Sequence, residues 1–160
     1  MASAEVDAAI ARFDEETPGV HAFALYEERS ILVARRTHPA ARKHLTRARL
    51  RLLRHVDVEI APGGGYRGLE EAYALLGIQR AIAMVVPSFV AAAAVVAQTD
   101  WVATLPISLV ETLKAKRDLV VLEGEAPTQH TPLHLIWHER TDSDAACRAF
   151  RAIVKRSLCR

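Results

Sequence analysis

Features that place a chain in a special class of protein are scarce in this sequence of 160 residues. It has two cysteines, Cys147 and Cys159, in one C-terminal segment of helical period. A rise of 1.5 Å per residue separates them by roughly 18 Å, too far for a disulfide. The cysteines therefore give no indication of an oxidising compartment.

Long apolar runs and targeting signals are also missing. The longest nearly apolar stretch, Ala81–Ala97, is shorter than the ~20 residues of a membrane helix, and Pro87 interrupts it. The first residues do not show a basic segment followed by an apolar run, so we expect no signal peptide. These observations predict a cytoplasmic protein with no membrane partner.

Charge of one sign is not in excess, because 21 Lys and Arg residues face 19 Asp and Glu residues, a net charge of +2. The surface as a whole therefore does not favour binding of a polyanion such as a nucleic acid. An apolar fraction of 51% and a charged fraction of 25% are those of a globular protein.

Apolar runs of strand length alternate with segments of helical period, which predicts an α/β fold with a largely parallel sheet. The stretch Ala22–Arg35 turns polar at Tyr26–Arg29, which is typical of a strand that crosses between two lobes. The other strands are expected at 6–10, 55–60, 81–86, 101–105, 119–122 and 133–137, and the helices at 45–53, 66–76, 89–98, 107–116 and 143–158.

Finer expectations concern burial and capping. Ala81–Val86 is predicted to be a buried strand, and Thr46 the N-cap of a helix. The buried face of that helix is expected to carry Leu45, Ala48, Leu52 and Leu53, and that of the last helix Ala146, Phe150, Ile153 and Val154.

Gly63, Gly65 and Gly68 fit the G-x-G-x-x-G pattern between a strand and a helix, the context of a dinucleotide fingerprint. A Rossmann unit also needs an acidic residue about 20 positions further on, and that region is Ala83–Pro87. We therefore expect a tight turn and no cofactor. The backbone N–H groups at the start of a helix would still favour a carboxylate.

Eight Lys or Arg residues and no acid lie between Arg35 and Arg54. Such a run could bind phosphates. However, it contains no aromatic residues to stack on bases and no amide side chains to hydrogen-bond to base edges. We expect a solvated face.

Histidines and serines offer no clear chemistry. His130, His134 and His138 are spaced by four, but Pro132 interrupts them and no cysteine is near, so no metal site is expected. Ser88, Ser108 and Ser157 lie outside any G-x-S-x-G context, and we predict no catalytic residues and no enzyme.

Four segments together resemble LysR-type transcriptional regulators. They are Tyr26–Pro39, Val86–Phe89, Thr99–Pro106 and Trp137–Arg140, and they follow that family's order and approximate spacing over about 130 residues. The resemblance is closest to the branch of nodulation and aromatic-catabolism regulators.

The resemblance implies a type 2 periplasmic-binding-protein-like effector domain: two α/β lobes, two crossover strands and a small molecule in the cleft. On this basis, residues 30–131 form one complete Rossmann-like lobe. Residues 1–29 are a remnant of lobe one with a crossover strand, and 132–160 are the return strand and C-terminal helix. The family's helix-turn-helix and the front of lobe one are expected to be absent.

Position by position, the resemblance places the effector at Pro87, Ser88 and Phe89. A weaker candidate is the loop Ala61, Pro62, Gly63 and Gly64. The alternative is that Ser88 only caps its helix and Phe89 belongs to the core.

We therefore predict an effector-sensing domain for a small organic acid, aromatic acids included, that binds DNA only through a helix-turn-helix absent here. A stand-alone small-molecule-binding module is the alternative, and a Rossmann-type enzyme is the third. An open edge near Val6–Ile10 and the last helix's apolar face predict self-association, as a dimer or larger.

Overall fold

The structure is a computed structural model that describes residues 6–13, 17–60 and 67–159, without the side chains of residues 67 and 114–117. Strands and helices alternate within these residues. The strands are β1 (Ala8–Ala11), β2 (Val20–Arg35), β3 (Arg54–Val58), β4 (Ala81–Val86), β5 (Ala103–Pro106), β6 (Leu119–Val121) and β7 (Gln129–His138). The helices are α1 (Arg47–Leu50), α2 (Arg67–Leu75), α3 (Phe89–Gln98), α4 (Ile107–Arg117) and α5 (Ala145–Leu158).

The chain divides into two compact units. The first comprises residues 1–28 and 130–160, and the second residues 29–129. The 16-residue strand β2 passes from one unit to the other between Glu28 and Arg29, within its polar break. The long extended stretch predicted from the sequence is thus confirmed as one strand.

The second unit contains a mixed sheet. Strands β3 and β4 are parallel, and the backbones of Val56 and Val102 continue this pairing towards β5. Strand β2 runs antiparallel to β5 and to β6. The prediction of a largely parallel sheet is therefore right for β3 and β4 and wrong for β2, because β2 enters this unit from the opposite direction.

Two hydrophobic clusters cover the two faces of this sheet. Successive residues of a strand point to opposite faces, so Ile31 and Val33 join one cluster while Leu32 and Ala34 join the other. The first cluster also contains residues of α3, and the second contains Leu69 and Tyr73 of α2. Burial on both faces is typical of an α/β layer structure.

One expectation about the second unit is wrong, and another is right only in part. Strand β4 has the predicted bounds, but Ile82 and Met84 are each 40% exposed and Val85 is 55% exposed. It lies beside β3 on one side only, and within the described residues no strand pairs with its other side. Helix α1 is a single turn whose buried residue is Leu50. Of the face predicted for it, Leu45 and Leu53 are buried but lie outside the helix, whereas Ala48 and Leu52 are exposed.

The first unit contains β1 paired antiparallel with β7, followed in sheet order by β2. Strand β7 begins at Gln129, four residues before the predicted start at residue 133, so Pro132 lies inside it. A turn at Thr17–Gly19 precedes β2: Val20 donates its N–H to Thr17 O at 3.0 Å, and Gly19 supplies a φ of 72°.

Helix α5 presents a different face from the one predicted. Asp144 caps the helix by accepting a hydrogen bond from the backbone N–H of Cys147 at 2.7 Å, which holds the pKa of the Asp144 carboxyl below its ordinary value. The buried residue is Arg151, whose guanidinium lies 5.0 Å from the centre of the Trp137 ring. Phe150 and Ile153 are more than half exposed. Polar and cation–π contacts, and not the apolar stripe, therefore set the orientation of α5.

The remaining expectations about α5 divide in the same way. Ala146, predicted to face inward, is exposed, whereas Val154 is partly buried as predicted.

Both cysteines are free. None of the helices in the described part of the chain is long and apolar enough to cross a membrane.

Candidate functional site

The carboxyl ends of β3 and β4 lie side by side. Val58 is paired with Val86, and Glu59 donates its backbone N–H to Val86 O at 3.0 Å. The chain therefore leaves both strands at the same edge of the sheet. In open α/β sheets this edge is where ligands bind.

Ser88 lies between β4 and α3 and caps the helix. Its backbone is extended, with φ −157° and ψ 152°, and its Oγ accepts a hydrogen bond from the N–H of Ala91 at 3.2 Å. The Ser88 carbonyl accepts the first helical bond, from Ala92, at 3.0 Å. One part of the alternative interpretation, that Ser88 caps its helix, is therefore correct.

Phe89 and Pro87 have different surroundings. Phe89 is partly buried against the cluster that contains Ile31 and Val33, whereas Pro87 is exposed. Phe89 thus packs on the core and keeps part of its ring at the surface. Capping leaves room for a ligand contact at Ser88, because its hydroxyl keeps a proton to donate.

The weaker candidates, Ala61, Pro62, Gly63 and Gly64, lie outside the described residues, as does Gly65. The described residues before them, Glu59 and Ile60, follow the end of β3 beside Val86. Gly68 lies in α2, where a Cβ would meet the amide nitrogen of Gln129 at 2.8 Å.

The arginines of the basic run contact acids and an aromatic ring. Arg35 pairs with Asp100 at 2.7 Å, Arg36 with Asp118, and Arg47 with Glu125 at 3.3 Å. Arg54 lies over the Trp101 ring, 5.4 Å from its centre. Within residues 35–54, all of which are described, three of the eight basic side chains are thus paired with acids distant in sequence.

The family can now be assigned, because a model of the LysR substrate binding domain matches residues 1–159. The chain belongs to the LysR substrate binding domain family. The resemblance inferred from the four segments is therefore confirmed. As a LysR substrate-binding domain, the chain is the effector-binding part of a LysR-type regulator.

Curated relatives of this LysR domain are transcription regulators. It is 28% identical over 150 residues to the HTH-type transcriptional regulator SyrM of Rhizobium meliloti, covering 94% of this chain and 46% of that protein. It is 28% identical over 141 residues to the HTH-type transcriptional activator NahR of Pseudomonas putida, covering 88% and 47%. The chain thus spans about half the length of the curated relatives it matches.

Solved LysR regulatory domains share the fold. The regulatory domain of MexT from Pseudomonas aeruginosa has a TM-score of 0.81 at 22% identity, covering 97% of this chain and 76% of that one. The effector-binding domain of QuiR, solved with shikimate, has a TM-score of 0.76 at 20% identity, covering 98% and 74%. The regulatory domain of Synechocystis CcmR, solved with 2-PG, has a TM-score of 0.81 at 14% identity, covering 99% and 76%. The type 2 periplasmic-binding-protein-like fold is confirmed.

The three spaced histidines of the LysR domain lie in β7 with separate contacts. His130 Nδ1 is 2.6 Å from Glu27 Oε1, and His138 Nδ1 accepts the N–H of Arg140 at 3.2 Å. The His134 ring lies 6.3 Å from that of Phe13. Within residues 6–13, 17–60 and 67–159, no three His, Cys, Asp or Glu side chains are arranged to hold a metal ion.

A buried polar cluster in the second unit was not anticipated from the sequence. Arg80 has a side chain 2% exposed and hydrogen-bonds to Asp57 and to Glu70, and these bonds outweigh burial in raising its pKa. Its guanidinium lies over the Tyr73 ring, and burial raises the pKa of Tyr73 to about 12. No local signal marks these residues, since they come together only through the packing of α2 on the sheet.

Proposed function

We propose that this LysR substrate-binding domain senses a compact organic acid, aromatic acids included, at Pro87, Ser88 and Phe89. The observation that carries the proposal is the start of α3. There a hydroxyl, a partly buried ring and a helix N-terminus meet at the carboxyl ends of β3 and β4.

The chemistry of this site favours an anion. The first N–H groups of a helix lack intrahelical acceptors, and the helix dipole adds positive potential there. Ser88 supplies a hydroxyl proton, and Phe89 an apolar surface for a ring or hydrocarbon body. The shikimate bound by QuiR is a carboxylate, which supports this class of effector.

We further propose that Ala61, Pro62, Gly63 and Gly64 form a second part of this binding surface. The pairing of Val58 with Val86 supports this, because the segment after β3 starts from the same sheet edge.

The experiment that tests the site replaces Ser88 by Asp. Aspartate is as good an N-cap as serine, so the helix keeps its stability, but the new carboxylate repels an anion. Benzoate and shikimate are titrated against the 160-residue chain by calorimetry. We expect Ser88→Asp to weaken binding of the acid that binds best by at least about tenfold, or about 1.4 kcal/mol.

The matched control is Thr46→Asp, which puts the same charge at the N-cap of α1. It should leave binding unchanged. Equal affinity in the parent and in Ser88→Asp, at unchanged melting temperature, would show that the acid does not bind at this helix.

We also propose that these 160 residues do not read DNA sequence. The pairing of Arg35, Arg36 and Arg47 with carboxylates supports this. In a gel-shift assay with the promoter region beside its gene, the chain should cause only weak retardation that disappears by about 200 mM salt. A shift that survives this salt and distinguishes that region from random DNA would contradict the proposal.

A further inference from the structure

A groove opens in the second unit where β2 and β6 separate. The strands are antiparallel partners from Arg35–Leu119 to Val33–Val121, and Leu122 donates its N–H to Leu32 O at 2.9 Å. After Leu122 the chain leaves β2. Within the described part of the chain, β6 therefore does not pair with residues 29–31 of β2.

The departing segment pairs with Leu45 instead. Leu45 donates its N–H to Glu123 O at 2.9 Å and accepts that of Glu125 at 2.8 Å. Gly124, between them, has φ 144°, and a Cβ there would lie 2.3 Å from Leu45 O. The separation of the two strands is thus fixed by backbone contacts that only glycine permits.

The cavity between the separated segments has a volume of about 490 Å³. This lies in the range of small-molecule sites, about 300–1,000 Å³. Its walls include the apolar side chains of Ile31, Ile107 and Val120, and its polar groups include Arg29, Glu123 and Thr128.

Arg29 differs from Arg35, Arg36 and Arg47, which pair with acids. Its side chain is exposed, and within residues 6–13, 17–60 and 67–159 its guanidinium has no hydrogen bond or ion pair. A guanidinium beside an apolar wall matches a carboxylate attached to a hydrocarbon body, since it can donate two parallel hydrogen bonds. The Glu123 carboxylate on the same groove adds an acceptor for a hydroxyl group.

We propose that this groove binds a compact hydroxylated carboxylic acid, with Arg29 holding the carboxylate. This goes beyond the proposed function, because none of the residues that line the groove belongs to 87–89. The LysR domain then has two separate anion-binding positions in its second unit.

The test is an NMR titration of the ¹⁵N-labelled 160-residue chain with 4-hydroxybenzoate, and with 4-hydroxybenzamide as the uncharged probe. We expect the acid to shift the Arg29 side-chain N–H signal and the amides of residues 120–124, and the amide probe to leave them unchanged. Arg29→Ala should weaken binding at least about tenfold, as for loss of a charged hydrogen bond, whereas Arg29→Lys keeps part of the affinity.

Two further variants separate binding from folding. Thr128→Trp fills the groove from an exposed position and should abolish the shifts while preserving the melting temperature. Arg42→Ala removes an exposed arginine outside the groove and should change nothing.

The outcomes also distinguish this groove from the start of α3. Shifts confined to residues 88–92, insensitive to Arg29→Ala, would support the proposed function and overturn the groove. No shift at either place up to about 10 mM, well above the 1 mM range of weak ligands, would overturn both.

Discussion

At the scale of single residues, His55 is an unusual buried side chain of the second unit. It is 1% exposed, its ring meets that of Tyr73 edge-on, and neither ring nitrogen has a hydrogen-bond partner in the described part of the chain. Burial first, and then the positive charge of Arg80, lower the pKa of His55 to about 4, against the opposing effect of Asp57. His55 is therefore neutral in the folded protein across physiological pH.

This burial predicts a loss of stability in mild acid. The unfolded chain binds a proton at His55 near pH 6.5, whereas the folded chain does so only near pH 4. His55 therefore lowers the free energy of unfolding as the pH falls from about 6.5 to 4, by up to about 3 kcal/mol. Urea unfolding at several pH values measures this loss.

The variant His55→Leu should flatten that dependence, because it removes a group that binds a proton between pH 6.5 and 4 in the unfolded chain but not in the folded one. His44→Gln, at an exposed histidine, is the matched control and should keep it. An unchanged slope in His55→Leu would mean that other groups cause the acid sensitivity.

Gly124 predicts a second effect at this scale. Gly124→Ala brings a Cβ against the Leu45 carbonyl and forces a positive φ on alanine. We therefore expect the free energy of unfolding, measured in urea, to fall by about 1–3 kcal/mol. Gly68→Ala is the control, since there the Cβ meets only the movable end of the Gln129 side chain. A loss for Gly68→Ala as large as for Gly124→Ala would contradict this account.

At the scale of elements, the two N-caps Ser88 and Thr46 behave differently. Ser88 accepts a hydrogen bond from α3, whereas Thr46 makes no side-chain capping bond to α1. Ser88→Ala should therefore cost about 1 kcal/mol of unfolding free energy, and Thr46→Ala only a few tenths. Thermal or urea unfolding of both variants measures this difference, and equal losses would contradict it.

The same pair shows the limit of a local pattern. A hydroxyl residue before a helical segment predicts a cap at both positions, and both residues lie at the predicted helix starts. Only α3, with ten residues, forms the first turn in which Ser88 Oγ reaches a donor. Helix α1 is four residues long, and its start is fixed instead by Glu125, which accepts the Arg47 N–H at 2.8 Å.

At the scale of the whole molecule, the first unit leaves apolar side chains in water. Phe150 and Ile153 on α5 and Val6 and Ile10 near β1 are each 45–55% exposed. Val6 and Phe150 also line an open cavity of about 450 Å³ beside Cys147. Burying such side chains yields about 1.5–3 kcal/mol each, which favours contact with another chain.

We therefore still predict self-association, through the surface that these exposed apolar side chains form. Light scattering at micromolar concentration should give a mass of two chains or more, and Phe150→Glu with Ile153→Glu should give the 17.6 kDa monomer. The control, Leu52→Glu with Leu75→Glu, changes exposed leucines of the second unit and should stay associated. A monomeric parent chain would refute the prediction.

The sequence by itself determined which segments are strands and helices and to which family the chain belongs. Both depend on local information. Residue periodicity predicts β2, β4 and α3, and the family's motifs keep their order along the chain. The same information marks the start of α3, because a proline and a hydroxyl residue before an apolar segment are typical of a helix start. The ligand role of Ser88 and Phe89 came only from the family resemblance and stays a prediction.

Only the tertiary structure decided which faces are buried and which charges are free. Periodicity marks β4 and the stripe of Phe150 and Ile153 as apolar, but their burial depends on neighbours that a local pattern does not contain. The same holds for charge, since Asp100, Asp118 and Glu125 pair with three arginines that are distant from them in sequence. No described acid pairs with Arg29, although Glu27 and Glu28 precede it directly in sequence.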